Sequence, residues 1–391
     1  MKLKIKLLFV IMLALIVSVS FPVIVYSDGD ESATLNDEID EILESVDFSE
    51  LEDYYSSIPD RLKSDGNFTD FLKKLASGQE FADYDTIFSY CISSFKDGIK
   101  EKLPLFLTLF SLLVICGIIN ATGSGYLSGG VTEIAKFAVY TSAICIVTAI
   151  SYSLLEKGKT VIDSVTSAIE AIFPIILTLM TVTGSTASVA VYTPSVAFIS
   201  DFAVIVVKNV IFPLIVFILV ASVISNINKS IKLKSLIGFL SSGIKWIIGL
   251  IVTLFSVFLT VKGLSAGTFD GISFRAVKYT VNSSVPIVGG LIKDGLDFII
   301  ASAVLIKNSL GVFAIIFIFS AVIGPVLEIV IISLCLKFVN AVTEPIGDGR
   351  ANEFINSVST ALNFMIASIL LISLMCLALV IMVVYSSQVI L

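Results

Sequence analysis

Histidine is absent from all 391 residues of the chain. That omission removes Ser-His and Cys-His nucleophile arrangements and the imidazole ligands on which catalytic zinc sites are usually built. Charge is scarce as well, at 15% of residues against 56% hydrophobic, where an ordinary soluble domain carries about a quarter charged residues. A water-soluble fold is excluded for most of the chain. There is no basic surface to displace counterions from phosphates: 32 Asp and Glu outweigh 25 Lys and Arg, for a net charge of -7, so nucleic acid is not an expected partner.

The five cysteines, Cys91, Cys116, Cys145, Cys335 and Cys376, form no C-x-x-C pair. All but Cys91 sit inside apolar runs, where cysteine packs as a small hydrophobe. No P-loop, glycine-rich dinucleotide fingerprint or H-E-x-x-H sequence occurs, and no catalytic residue, cofactor or metal site is expected. Asp294 and Asp297 share a helix face, but Lys293 beside them and the lack of a second matching motif argue against an aspartyl dyad.

What is present is apolar length. The start, Met1-Lys2-Leu3-Lys4-Ile5-Lys6, is a basic segment followed by an apolar run over 7–25, with Val25-Tyr26-Ser27 at the positions a signal peptidase reads. A signal peptide over 1–27 is expected, with a retained anchor as the alternative. Residues 28–102 are acidic and polar, and Ile39, Ile42, Leu43 and Val46 fall at helical spacing. They read as a small extracytoplasmic helical domain, with Ser49 and Glu52 as a capping box.

Residues 103–391 read as a polytopic transmembrane domain. Apolar stretches at 103–120, 135–155, 161–183, 202–225, 236–261, 309–336 and 358–385 approach the roughly 20 residues needed to cross a bilayer. A further stretch at 285–306 carries Lys293, Asp294, Asp297 and Lys307 and reads as either buried between helices or re-entrant. The fold class is therefore all-α and polytopic, with about 7–8 membrane segments.

Lys229, Lys232 and Lys234 mark a cytoplasmic loop. Strict alternation of the segments puts that loop on the same side as an exported N-terminal domain. The conflict is resolved if 161–200, broken by Pro174, Gly184 and Pro194, returns to the side from which it entered, or if the signal is retained. Pro174 and Pro213 stand at the same spacing as Pro286 and Pro325, which suggests an internal repeat of about 135–225 and 247–337. Repeats enclosing broken helices build the central pathways of many transporters.

The stretch 260–311 is the most distinctive. It contains Thr268, Asp270-Gly271-Ile272, Arg275, Lys278, Pro286 and Gly289, Asp294 and Asp297, and Lys307-Asn308 with Gly311. This series, with the later Glu344-Pro345-Ile346-Gly347-Asp348-Gly349 loop, resembles the stage III sporulation protein AE family. The resemblance implies an integral component of the channel or secretion-like complex that joins the mother cell to the engulfed forespore. It implies no enzymatic activity. The partners implied are the other stage III A-operon proteins, including an ATPase, and a forespore membrane protein, with the chain itself in the mother-cell membrane. A free-standing secondary transporter with a helical-repeat core is the alternative.

Charged residues within the apolar stretches are the candidates for a pathway or partner contact. Glu170 precedes Pro174 by one turn, Glu328 follows Pro325, and Asp201 and Lys208 lie two turns apart on one helix face. Each reads either as lining a polar interior or as snorkelling to the interface. Asp270, Arg275 and Lys278 read as a cap and ion-pair set with Asp294 or Asp297, or as a partner contact. Lys307 and Asn308 complete the candidates.

Overall fold

The computed structural model describes residues 31–63, 66–77, 84–122, 129–227, 233–284, 289–343 and 349–386. The signal segment 1–27, most of the basic loop, Pro286 and the loop 344–348 lie outside the described residues, as do the side chains of 261–297. Among the described residues there are only helices and the turns between them.

Three short helices open the fold: α1 (Glu31–Ser45), α2 (Ser49–Ser57) and α3 (Phe68–Ala76), with a 3-10 turn at Asp60–Leu62. The expected apolar stripe is real, since Ile39 and Leu43 are buried and Ile42 and Val46 pack against the core. The expected capping box is not. The Asp47 carboxylate instead accepts from the Ser49 N–H at 3.0 Å, and the capping box forms at α3, between Asn67 and Asp70. Asp47 wins because it stands before the helix, where an acceptor reaches the free first-turn donors.

The rest is built from long helices: α4 (Tyr84–Thr122), α5 (Gly129–Val182), α6 (Thr186–Ala197) continuing through π-helical turns into α7 (Phe212–Ile227), α8 (Lys234–Ser284), α9 (Gly289–Thr343) and α10 (Gly349–Ser386). Helix α4 runs unbroken through residue 102, so the polar N-terminal region and the apolar region share one helix. Six helices among the described residues are long and apolar enough to cross a membrane.

The segments expected at 135–155 and 161–183 are one 54-residue helix, α5, with Pro174 inside it. A mid-helix proline kinks a helix without ending it when neighbours hold both halves, and here Ile172, Phe173 and Ile176 are fully packed. Likewise 289–306, the described part of the stretch expected at 285–306, joins 309–336 in α9, 55 residues long. The α5 helix ends at Gly184, which takes φ +79 while the Ser185 N–H reaches back to the Met180 carbonyl at 2.9 Å. Only glycine adopts that left-handed conformation without strain, and the chain reverses into α6.

Residues 161–200 are thus the upper part of a helical hairpin. Descending through α7, the chain reaches the start of α8 at the end of the bundle opposite the N-terminal helices. The ion pair of Lys234 with Glu353 at 3.0 Å places that start beside the beginning of α10. The start of α8 and the N-terminal helices therefore lie at opposite ends of the bundle. Helices α9 and α10 run antiparallel through the centre, with Ile306, Phe313 and Val322 of one and Leu362, Ile369 and Val380 of the other fully buried.

Candidate functional site

Where Lys102 of α4, Lys157 of α5 and Glu328 of α9 meet, three helices are joined by charge. Each lysine Nζ lies 2.8 Å from a Glu328 carboxylate oxygen, and Lys102 also contacts Glu101 at 2.7 Å. Glu328 and Lys102 are nearly covered, at 18% and 16% side-chain exposure, while Lys157 is half-exposed at 49%. Glu328 bridges ammonium groups from two different helices, and Glu101 on Lys102 supplies the second negative charge, so two carboxylates face two lysines. The sequence offered Glu328 but gave no signal for its lysines, which lie far away along the chain.

A second polar feature sits beside it in α5. Asp163, Thr166, Ser167 and Glu170 of α5 face Val204, Ile205, Lys208 and Asn209 across a cleft of about 290 Å³. Lys208 forms an ion pair with Asp163, and the expectation that it shares one helix face with Asp201 is corrected. Asp201 is exposed at its own turn. The reason is the backbone, which is π-helical over Phe198–Val204 and Val207–Ile211. Widening the helix rotates successive side chains away from the 3.6-residue register, so residues seven apart no longer share a face. Pro213 follows directly and has no N–H to return to the carbonyls before it, which favours the widened turns.

Glu170 lines this cleft near the N-terminal helices. The Tyr54 phenol is pushed above its ordinary value by burial first and then by the charges of Glu50 and Glu170, against a hydrogen bond with Ser167 that lowers it. Tyr54 also stacks edge-on against Phe317 of α9, with centroids 5.3 Å apart. Around it Phe68, Phe71 and Tyr55 pack on Phe313 of α9. The N-terminal helices therefore stand beside the Ser167 and Glu170 end of the cleft.

The third feature explains a motif. In Lys307-Asn308-Ser309-Leu310-Gly311, the fully buried Lys307 donates to the carbonyl oxygens of Val383 and Val384 at 3.1 and 3.2 Å. Those carbonyls belong to the last turns of α10, where backbone acceptors outnumber donors and a cation is favoured. One turn on, a Cβ at Gly311 would collide with the Val384 side chain. The motif is a clasp that receives the end of α10. Asn308 is buried beside it, and its Oδ1 meets no hydrogen-bond donor among the described residues.

Asp270, Arg275 and Lys278 lie on the later half of α8, and Asp294 and Asp297 on the first turns of α9. Their side chains lie outside the described set, so the expected cap and ion pairs among them are not placed. Among the described residues no group of three His, Cys, Asp or Glu side chains is arranged to hold a metal.

Comparison with known proteins gives a single direction. The family model for stage III sporulation protein AE matches residues 66–387. The curated stage III sporulation protein AE of Bacillus subtilis (strain 168) is 23% identical over 327 residues, covering 83% of this chain and 80% of that protein. No solved structure matches. With its all-helical membrane architecture and a match over most of its length, the chain belongs to the stage III sporulation protein AE family.

Proposed function

We propose that this chain is a non-catalytic membrane component of the channel or secretion-like complex linking mother cell and engulfed forespore, needed for late forespore development. In this reading it lies in the mother-cell membrane after export of its signal segment, with the N-terminal helices outside the cytoplasm. Its partners are the other stage III A-operon proteins, including an ATPase, and a forespore membrane protein. The observation that carries the reading is the bridging of Lys102 and Lys157, from two helices, by Glu328 of a third. A carboxylate held by two lysines from two helices braces a scaffold, whereas a transport site must exchange its partners for substrate on every cycle.

One observation favours a free-standing transporter: the polar cleft of Asp163, Glu170 and Lys208 beside π-helical turns, a kind of irregularity common at functional sites. Affinity capture of the tagged protein from sporulating cells in mild detergent separates the two. Recovery of the ATPase and ring-forming partners supports the complex component. Recovery of the protein alone after crosslinking, with solute flux in vesicles holding only this chain, supports the transporter.

A further inference from the structure

A helix of 54 or 55 residues rises about 80 Å, while bilayer hydrocarbon is only about 30 Å thick. Helices α5 and α9 cannot be contained in it. Three observations locate where they leave.

First, the N-terminal helices that cover α5 and α9 carry charge on their outer faces. Glu41, Glu44, Asp47, Glu50, Glu52 and Asp53 are all exposed. A surface of that kind does not sit in hydrocarbon, yet these helices pack on Phe313 and Phe317 of α9 and lie beside Ser167 and Glu170 of α5. Those levels of the long helices are therefore outside the bilayer.

Second, the exposed residues change type along single helices. On α5, Ile134, Phe137 and Tyr152 are exposed before Lys157. Beyond it the exposed positions are Thr160, Asp163, Ser167, Glu170, Thr178 and Thr181, with Pro174 and the terminal Val182 as apolar exceptions. On α4 the charges run the other way: Lys96, Asp97, Lys100 and Glu101 are exposed before residue 102, alongside the apolar Phe88, Ile92 and Ile99, and beyond it the exposed residues, among them Leu103, Leu107, Ile115 and Ile118, include no charge.

Third, the length fits. Residues 103–122 carry no charged side chain and rise about 30 Å as a helix. The change on α4 and the change on α5 meet at one point, the contact of Lys102 and Lys157 with Glu328.

We propose that bilayer hydrocarbon covers only the half of the bundle that includes residues 103–122 and 137–155. The Lys102–Glu328–Lys157 cluster marks the membrane–water boundary, and α5 and α9 continue past it into water as a head capped by the N-terminal helices. The cluster lies where long side chains reach headgroups and water. The Asp163–Glu170–Lys208 cleft opens in the head, not at membrane depth. On the flank of α6 and α8, Phe202, Ile205, Leu254 and Val257 remain exposed, so α4 and α5 are the helices on which the boundary is read.

The test uses full-length protein, with its own cysteines replaced, in lipid nanodiscs that leave both faces open. Single cysteines are placed at T178C and T181C in the head and at I115C and F137C in the belt, and each is exposed to a charged, water-soluble maleimide. Gel filtration of every variant confirms assembly, and two positions per level cover the loss of one. The head positions are expected to label at least tenfold faster than the belt positions, which label only after denaturation in detergent. Head positions as protected as the belt would overturn the proposal by placing the upper half in lipid. Belt positions labelled as fast as the head would overturn it by showing that lipid does not cover them.

Discussion

The buried ammonium of Lys307 reaches across from α9 to the carbonyl oxygen of Val384 near the end of α10, at 3.2 Å, while Gly311 one turn on leaves room for the same valine's side chain. These two residues do one job with opposite means, a long donor and a missing side chain.

Their replacement separates those means. K307M keeps the apolar stem and leaves two buried carbonyls without their charged donor, a loss of about 1.5–3 kcal/mol. G311A adds one methyl against Val384 and costs about 1–3 kcal/mol through overpacking. Thermal unfolding in detergent should show both variants melting several degrees lower. The double variant should be less destabilised than the sum, because once α10 has lifted, the added methyl meets nothing. Full additivity would mean that the two residues do not hold the same helix end.

Phe68 and Phe313 meet edge to face, with centroids 4.8 Å apart. The pair fixes the N-terminal helices to α9. A double-mutant cycle with F68A and F313A is expected to give a coupling of about 1 kcal/mol. Each single change should also release the 31–76 region to limited proteolysis while the long helices stay intact. A coupling near zero would mean that the two rings are buried independently.

Much of this architecture was legible in the sequence. Helical periodicity at Ile39, Ile42, Leu43 and Val46 named the buried face of α1, and apolar run length named the membrane helices. Gly184 marked the reversal. What escaped was continuity: the charges at Glu156, Lys157 and Lys159 looked like the end of a span, whereas α5 passes through them because it leaves hydrocarbon there. Pairings between distant helices escaped for a different reason. Nothing local to Glu328 encodes Lys102 or Lys157, and nothing local to Lys208 encodes the π-helical turns that aim it at Asp163. The 307–311 motif was visible as a pattern, but its meaning needed the partner helix.

The Asp163–Lys208 pair allows a charge exchange. D163K alone sets two lysines against each other across the cleft, and K208D alone sets two carboxylates, so each should lower thermal stability and reduce sporulation. The double exchange D163K/K208D restores opposite charges in the same place, and recovery of most of the lost stability is expected. No recovery would mean that the neighbouring Glu170 and Asn209 have fixed which charge each position must carry.

Tyr54 supplies a pH dependence. Its proton is held more tightly in the folded state than in the unfolded chain, because burial and the nearby Glu50 and Glu170 disfavour the phenolate. A group with a raised folded pKa contributes stability that is complete below its unfolded value, near 10. That contribution is lost as the pH rises through the folded value. As the pH rises above about 10 the wild type should therefore lose attachment of the N-terminal helices faster than Y54F. Y54F keeps the ring against Phe317 but has no proton to lose. Protease sensitivity of the 31–76 region reads this directly, and equal alkaline loss in both proteins would assign the effect to other groups.

The Glu328 cluster predicts an ordering. E328Q retains the shape and one acceptor oxygen but leaves two ammonium groups facing each other, one of them nearly covered, so it should be the most damaging of the three changes, at about 1–3 kcal/mol. K102M should come next, because Lys102 is the more buried lysine and also binds Glu101. K157M should cost least, since a half-exposed lysine is already partly solvated. Salt separates the contributions further. Raising ionic strength should shrink the effect of K157M, whose charge faces water, and leave that of K102M nearly unchanged. Thermal unfolding of the purified protein at low and high salt measures all of this. If K157M proved the costlier of the two lysine changes and salt-independent, Lys157 would have to be the covered partner, and the boundary would lie farther along α5 than the exposed residues place it.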